Sequence, residues 1–343
     1  MRYPFAYAVS LAIAICVLAG HYLGGAGHLT LPFLGFVFLP IADARAGLSR
    51  WPSPAALDRI TPATERRYEI AVFTATFTTI FMLGWALWTA ATEDLATWEY
   101  GALIATTGMF TGYVGITVAH ELMHRTTQPH RFLAWFLMSQ VLYPHFCVEH
   151  VYGHHPNVAT PRDAATARKG ESFFHFVPRS IWGGLVSSIR FKPRPILFAF
   201  ALIVAAAFAI AHWLGERALI LFLAQGGIAI VLLEGINYLE HYGLARTQRA
   251  SGRFEPVGVG HSWDTSHYLT NINIFNLGRH TDHHAHSRRA YYRLRHYEET
   301  PQLPYGYATM FLIALIPPLW FRIMDRRLEA WQAQRIPHEA WAR

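Results

Sequence analysis

Nine histidines of this chain stand in four short groups. His120-Glu-Leu-Met-His124 comes first, then Glu149-His-Val-Tyr-Gly-His-His155. His241 follows, within Asn237–Leu244, and then His280, His283 and His284 within Leu277–Ala285. Imidazole nitrogen is a ligand for zinc, copper, iron and nickel. A closed structural site uses four ligands and a single catalytic zinc needs three. Nine donors are too many for one ion and suit two ions, sharing them four and five.

Helical geometry sorts the donors further. His120 and His124 are spaced i, i+4, so on a helix both face one ion. His150 and His154 have the same spacing and are expected on one face. His155 is then turned about 100° away, toward a second ion. His280, His283 and His284 repeat that arrangement. Glu121, Glu149, Glu240 and Asp282 lie beside these histidines and are candidates to orient ligand imidazoles through their second ring nitrogen. Salt bridges to Arg125, Arg279 or Arg288 are the alternative for the same acids. His-Glu-x-x-His alone also fits a zinc protease with Glu121 as general base, although that leaves seven clustered histidines without a role. A histidine-rich metal transporter is a third class. It calls for charged groups inside membrane spans, where Glu234 is the main one present.

The elements that must position these groups are membrane helices. Of 343 residues, 52% are hydrophobic and only 15% charged, well below the usual charged share of about 25%. The apolar residues collect in runs predicted to span at 3–23, 29–42, 70–91, 100–119, 196–214 and 218–239. The run at 29–42 is short and holds two prolines. The run at 100–119 leads straight into His120, and that at 218–239 leads to His241. The last two runs are joined by Gly215-Glu216-Arg217 and form a hairpin. Met310–Phe321 is apolar but short and contains Pro317-Pro318, so it is expected to pack on the polar part or lie in the interface. Segments 120–195 and 240–343 hold the candidate ligands. Arginine and lysine collect in the loop at 43–67 and in these two segments. The positive-inside rule therefore places both termini and all nine histidines on the cytoplasmic side. The net charge of +7 follows from this topology and does not indicate nucleic-acid binding. The two cysteines, Cys16 and Cys147, form no Cys-x-x-Cys, so the chain supplies no iron–sulfur, rubredoxin or zinc-knuckle site of its own.

The motifs HExxH at 120–124, EHxxGHH at 149–155, NYxEHYGL at 237–244 and RHxDHH at 279–284 together resemble those of the membrane alkane 1-monooxygenase family. That family lies within the membrane fatty acid desaturase and hydroxylase superfamily. The likeness continues through Pro317-Pro318-Leu-Trp-Phe to Asp325 and covers most of the chain. It implies an all-α polytopic membrane protein, a single domain with six transmembrane helices around a hydrocarbon pocket. It implies that His120, His124, His150, His154, His155, His241, His280, His283 and His284 hold two iron ions. The implied reaction uses O2 as co-substrate and inserts one oxygen atom into the terminal C–H bond of an n-alkane. Xylene and cymene monooxygenases, which attack an aromatic methyl group, are similar in sequence. The His-His-Pro-Asn-Val-Ala-Thr-Pro segment and the RHxDHH box look more like the alkane branch. The short link at 176–195 departs from the family and leaves chain-length preference open.

No flavin or nicotinamide fingerprint is present. The resemblance implies electrons from a rubredoxin or ferredoxin with its NAD(P)H-dependent reductase. A cytoplasmic basic surface is expected to receive that partner, drawn from Arg162, Arg168, Lys169, Arg288, Arg289, Arg293 and Arg295. The implied location is a bacterial-type inner membrane. Phe110, Tyr113, Trp85 and Trp88 are expected to pack helices or sit at the interface, with lining of the pocket as the alternative.

Overall fold

The computed structural model describes residues 4–334. Tyr3, at the start of the first predicted span, and residues 335–343 of the second polar segment lie outside the described residues. The described chain is helical, with no strand among those residues and three isolated bridges.

Five helical runs are long and apolar enough to cross a membrane: Ala6–Leu23, Gly25–Ala46, Pro62–Thr92, Thr97–Met123 and Pro193–His241. Local chemistry sets their ends. Thr61 accepts from the Thr64 N–H at 3.3 Å and Pro62 opens the third run, a standard helix start. The Glu99 carboxylate takes the Ala96 N–H at 3.0 Å at the start of the fourth. Gly24 and Gly47, with φ of 70° and 72°, end the first two, a conformation open to glycine at little cost. The second run is longer than expected at both ends; Pro32 and Pro40 stand on either side of a π segment at Leu34–Phe38, and Pro40 lies in the first turn of the helix that follows, where its missing N–H costs little.

The fifth run holds 49 residues and would be about 74 Å long if straight. It is broken at Gly215, whose φ is 85°. The Phe200 ring lies 6.1 Å from that of His145, and Glu234 accepts from the Tyr143 hydroxyl at 2.8 Å. Phe200 and Glu234 therefore meet neighbouring residues, whereas a straight helix would hold them about 51 Å apart. The run is a hairpin. At its turn the Arg217 guanidinium donates to the carbonyls of Glu93 and Leu95, and the Tyr100 hydroxyl donates to the Arg217 carbonyl.

The returning arm packs on the fourth run through a Gly-x-x-x-Gly pair. A Cβ at Gly108 would lie 2.8 Å from the Gln225 carbonyl oxygen, and one at Gly112 would lie 2.9 Å from Ala229 Cα. Small residues at these two points let the backbones approach closely, as in membrane helix pairs. Beyond the spans, Tyr307–Ala314 and Pro317–Gln334 cover the segment predicted to stay out of the membrane. The first is too short to cross, and the second carries Arg322, Asp325, Arg326, Arg327 and Glu329.

Candidate metal centre

Each candidate histidine is placed by a helix end. His120 stands in the last turn of Thr97–Met123, and His124 is the residue that caps it. His150 and His154 lie in the π turn Glu149–His154, and His155 follows directly. His241 is the last residue of its run, and His280, His283 and His284 share the short helix His280–Ala285.

These elements bring all nine rings together as two groups. His120, His124, His150, His155 and His283 each offer one nitrogen to the first group, and His154, His241, His280 and His284 to the second. Within each group the ligand atoms lie within 4.8 Å of one another. The division into five and four matches the expectation, but the membership does not. The spacing predicts His150 with His154; the structure pairs His150 with His155 and gives His154 to the other group. The reason is the π turn, whose hydrogen bonds run i to i+5, so that residues five apart share a face. Gly153 makes room for the wide turn, since a Cβ there would lie 2.9 Å from Glu149 Oε1 and from Ser187 Oγ. The helix at His280–Ala285 is an ordinary α-helix. There His280 and His284 share one group and His283 reaches the other.

The contacts between rings test whether metal ions fit. The Nε2 of His284 is 3.2 Å from that of His154 and 3.0 Å from that of His280. The His280 and His241 Nε2 atoms are 3.1 Å apart. In the first group, His155 Nε2 lies 3.1 Å from His150 Nε2 and 3.0 Å from His283 Nε2. Two nitrogens bound at right angles about 2.1 Å from one ion are about 3.0 Å apart. These separations match such an edge. The Nε2 atoms of His120 and His124 are buried without a hydrogen-bond partner among the described residues. Such orphans are rare in proteins, and a cation relieves them. The donor sets fit a metal centre at these two groups.

Electrostatics favours the same reading. Burial, and then the neighbouring His154, push the His124 imidazole down to about 3. His150, His155, His283 and His284 are also held well below the usual range, first by burial and then by each other. Neutral rings are the form that binds metal. At His154 burial acts downward, but the Asp163 carboxylate outweighs it and raises the pKa. Asp163 Oδ2 lies 2.9 Å from His154 Nδ1, which leaves Nε2 for the group.

The acids expected beside the ligands take different places. Glu240 Oε1 is 3.1 Å from His280 Nδ1 and also accepts from the Tyr307 hydroxyl. Glu149 is buried in the π turn, and its carboxyl is pushed up to about 8, first by burial and then by Asp163. Glu121 is held by Arg125 at 2.6 Å and accepts from the Tyr291 N–H. Asp282 takes Arg289, the Arg295 N–H and the Tyr297 hydroxyl, and its histidine contact is with His286. Asp163 is the acid that sequence reasoning missed. Its signal is a carboxylate in the loop that returns to the site eight residues after His155.

Two cavities flank the histidines. An apolar cavity of 320 Å³ runs among Ile13, Leu34, Met109, Leu233 and Phe311 and ends on His120, His150 and His280. It therefore touches both groups. Tyr113 lines it, whereas Phe110 is core, Trp85 packs on His21 and Trp88 is exposed. A second cavity of 230 Å³ is bounded by Arg125, Arg131, Arg288 and Tyr152, with His124 in its wall.

Helices of membrane-spanning length deliver two all-histidine groups to one place, an arrangement suited to a metal centre in a multi-pass membrane protein. Residues 96–314 match the fatty acid desaturase family. The chain is 38% identical over 319 residues to alkane 1-monooxygenase 2 of Pseudomonas aeruginosa, covering 87% of this chain and 83% of that protein. It is 40% identical over 275 residues to alkane 1-monooxygenase 1 of the same organism, covering 74% and 71%. The hydroxylase component of xylene/toluene monooxygenase from Pseudomonas putida is 27% identical over 248 residues, covering 68% and 66%. The chain belongs to the fatty acid desaturase family and, within it, to the alkane 1-monooxygenases.

Proposed function

We propose that the protein is a non-haem di-iron monooxygenase that converts n-alkanes to 1-alkanols. The observation that carries this reading is the apolar cavity that ends on histidines of both groups. A substrate with no polar handle is held there by shape and burial alone, at about 25 cal/mol per Å² of apolar surface. One end of the chain then meets both metal positions. His120, His124, His150, His155 and His283 would hold one iron, and His154, His241, His280 and His284 the other. When bound, the pair would supply the activation of O2, which takes two electrons from the donor and two from the C–H bond. One oxygen atom goes into the C–H bond, and the other leaves as water with two protons. Asp163 holds the tautomer of His154, and Leu34, Met109 and Phe311 keep water from the reacting carbon. A zinc-protease reading would require Glu121 at the metal, but Arg125 holds it.

With the hairpin counted as two crossings, the chain has six. The basic segments put the histidines and both termini on the cytoplasmic side of a bacterial-type inner membrane. Electrons come from a separate rubredoxin or ferredoxin with its NAD(P)H-dependent reductase. Support for this is the lack of any flavin, nicotinamide or Cys-x-x-Cys motif in the chain.

The test is a product assay with rubredoxin, reductase and NADH, given octane, dodecane, hexadecane and p-xylene. Terminal alcohols from the alkanes are expected. Benzylic alcohol alone would move the protein to the aromatic-methyl branch, and no oxygenated product from metal-loaded protein would overturn the reading.

A further inference from the structure

The second cavity lies outside the hydrocarbon path. Its wall includes His124, the one histidine of the nine that is not fully buried. Three arginines surround it. Arg125 is committed, with Glu69 at 2.7 Å and Glu121 at 2.6 Å. Arg131 and Arg288 have no acidic side chain within salt-bridge distance among the described residues, and Arg288 is exposed. The rim adds more positive charge. The Lys192 ammonium donates to the Tyr152 hydroxyl at 2.8 Å. Of the other basic residues expected to form a docking surface, three are already neutralised. Lys169 is paired with Glu329, Arg289 with Asp282, and Arg293 with Glu65.

We infer that this cleft is the docking point for the electron donor, whose acidic side chains enter it between Arg131 and Arg288, above His124. The inference rests on the reading of the chain as a reductant-dependent oxygenase. The cleft is polar and shares no lining residue with the apolar cavity, so donor and hydrocarbon would approach the histidines by separate routes. Arg131 also meets the Tyr152 hydroxyl, but neither guanidinium has a carboxylate partner, and such groups select carboxylates by charge and by fork geometry. A surface carboxylate seated there brings the partner against the edge of a ligand ring. The occupant is therefore a small acidic one-electron carrier protein.

The test uses the full-length protein in bilayer nanodiscs and measures binding of reduced rubredoxin at low and high salt. R131Q/R288Q is compared with R322Q/R326Q, which removes the same charge from the exposed face of Pro317–Gln334. We expect R131Q/R288Q to weaken binding about tenfold and to flatten its salt dependence, with R322Q/R326Q close to wild type. Equal weakening in both variants, or none in either, would overturn the proposal. So would inorganic phosphate that binds wild type at the cleft without competing with rubredoxin. Binding is read without turnover, so a wild-type protein that binds rubredoxin through this cleft but makes no alcohol would refute the reaction and leave the docking assignment standing.

Discussion

The Nε2 atoms of His150 and His155, five residues apart, stand 3.1 Å from each other, while His154, adjacent to His155, faces the other metal position. A π turn therefore decides which imidazole serves which ion. Paired substitutions should reveal this. H150A/H155A is expected to remove donors from one position only and to retain about half of the wild-type metal. H150A/H154A takes a donor from each position and is expected to lose more. Metal content per chain by mass spectrometry separates the two, and an inverted order would contradict the pairing.

Asp163 acts through His154. The D163N variant keeps the shape but replaces a charged acceptor with an amide, and the tautomer of His154 is no longer fixed. Metal affinity should fall by about 10- to 100-fold, chiefly at the four-histidine position. A chelator competition that finds wild-type affinity would exclude this role. E121Q, by contrast, alters the Arg125 contact and is expected to change metal affinity little.

Acid should disassemble the centre. The His124 imidazole titrates at about 3 in the folded chain against an ordinary 6.5. His150, His155, His283 and His284 shift in the same direction. Below pH 6.5 the unfolded chain thus binds more protons than the folded one, and stability falls as pH falls. The contribution is fully present above that value and is lost toward pH 3. Melting temperatures of the metal-stripped protein in detergent should hold above about pH 7 and decline below about 6.5. A flat profile down to pH 5 would contradict the assignment.

Chain length should respond to bulk in the apolar cavity. Gly35 lines it, and a Cβ there meets only the flexible Met109 Cε, at 3.0 Å. Gly35→Phe is expected to shorten the cavity and move product toward shorter alcohols in a mixed-alkane assay. Each excluded methylene costs about 1–3 kcal/mol of discrimination. An unchanged product distribution would place the hydrocarbon elsewhere.

Much of this arrangement is legible in the residues. The apolar runs, the break at Gly215 and the total of nine donors all follow from spacing and composition, because span length and glycine geometry are local properties. The membership of the two groups is not local. Glu149–His154 has nothing in its letters that selects i to i+5 bonding over i to i+4; the choice is made where Gly153 packs on Ser187. Asp282 and Asp163 show the same limit from opposite sides. Asp282 sits between two ligands in sequence yet turns to Arg289. Asp163 lies in a loop and turns to His154. Adjacency along the chain places a carboxylate near a site, but the fold chooses its partner.

The apolar cavity has a consequence for what leaves it. Three of its polar lining groups are already engaged. The Thr117 hydroxyl donates to the Tyr113 carbonyl, Thr270 to Asp43, and Asn273 to the Leu269 carbonyl. A newly formed hydroxyl finds few partners there, and burying one unsatisfied costs about 1–3 kcal/mol. The wall that welcomes a paraffin is thus a poor solvent for its alcohol. The buried Tyr113 hydroxyl, without a partner among the described residues, is a lining group left to meet it; away from that point the alcohol is held less well than the paraffin, and a second oxidation of the same molecule is disfavoured.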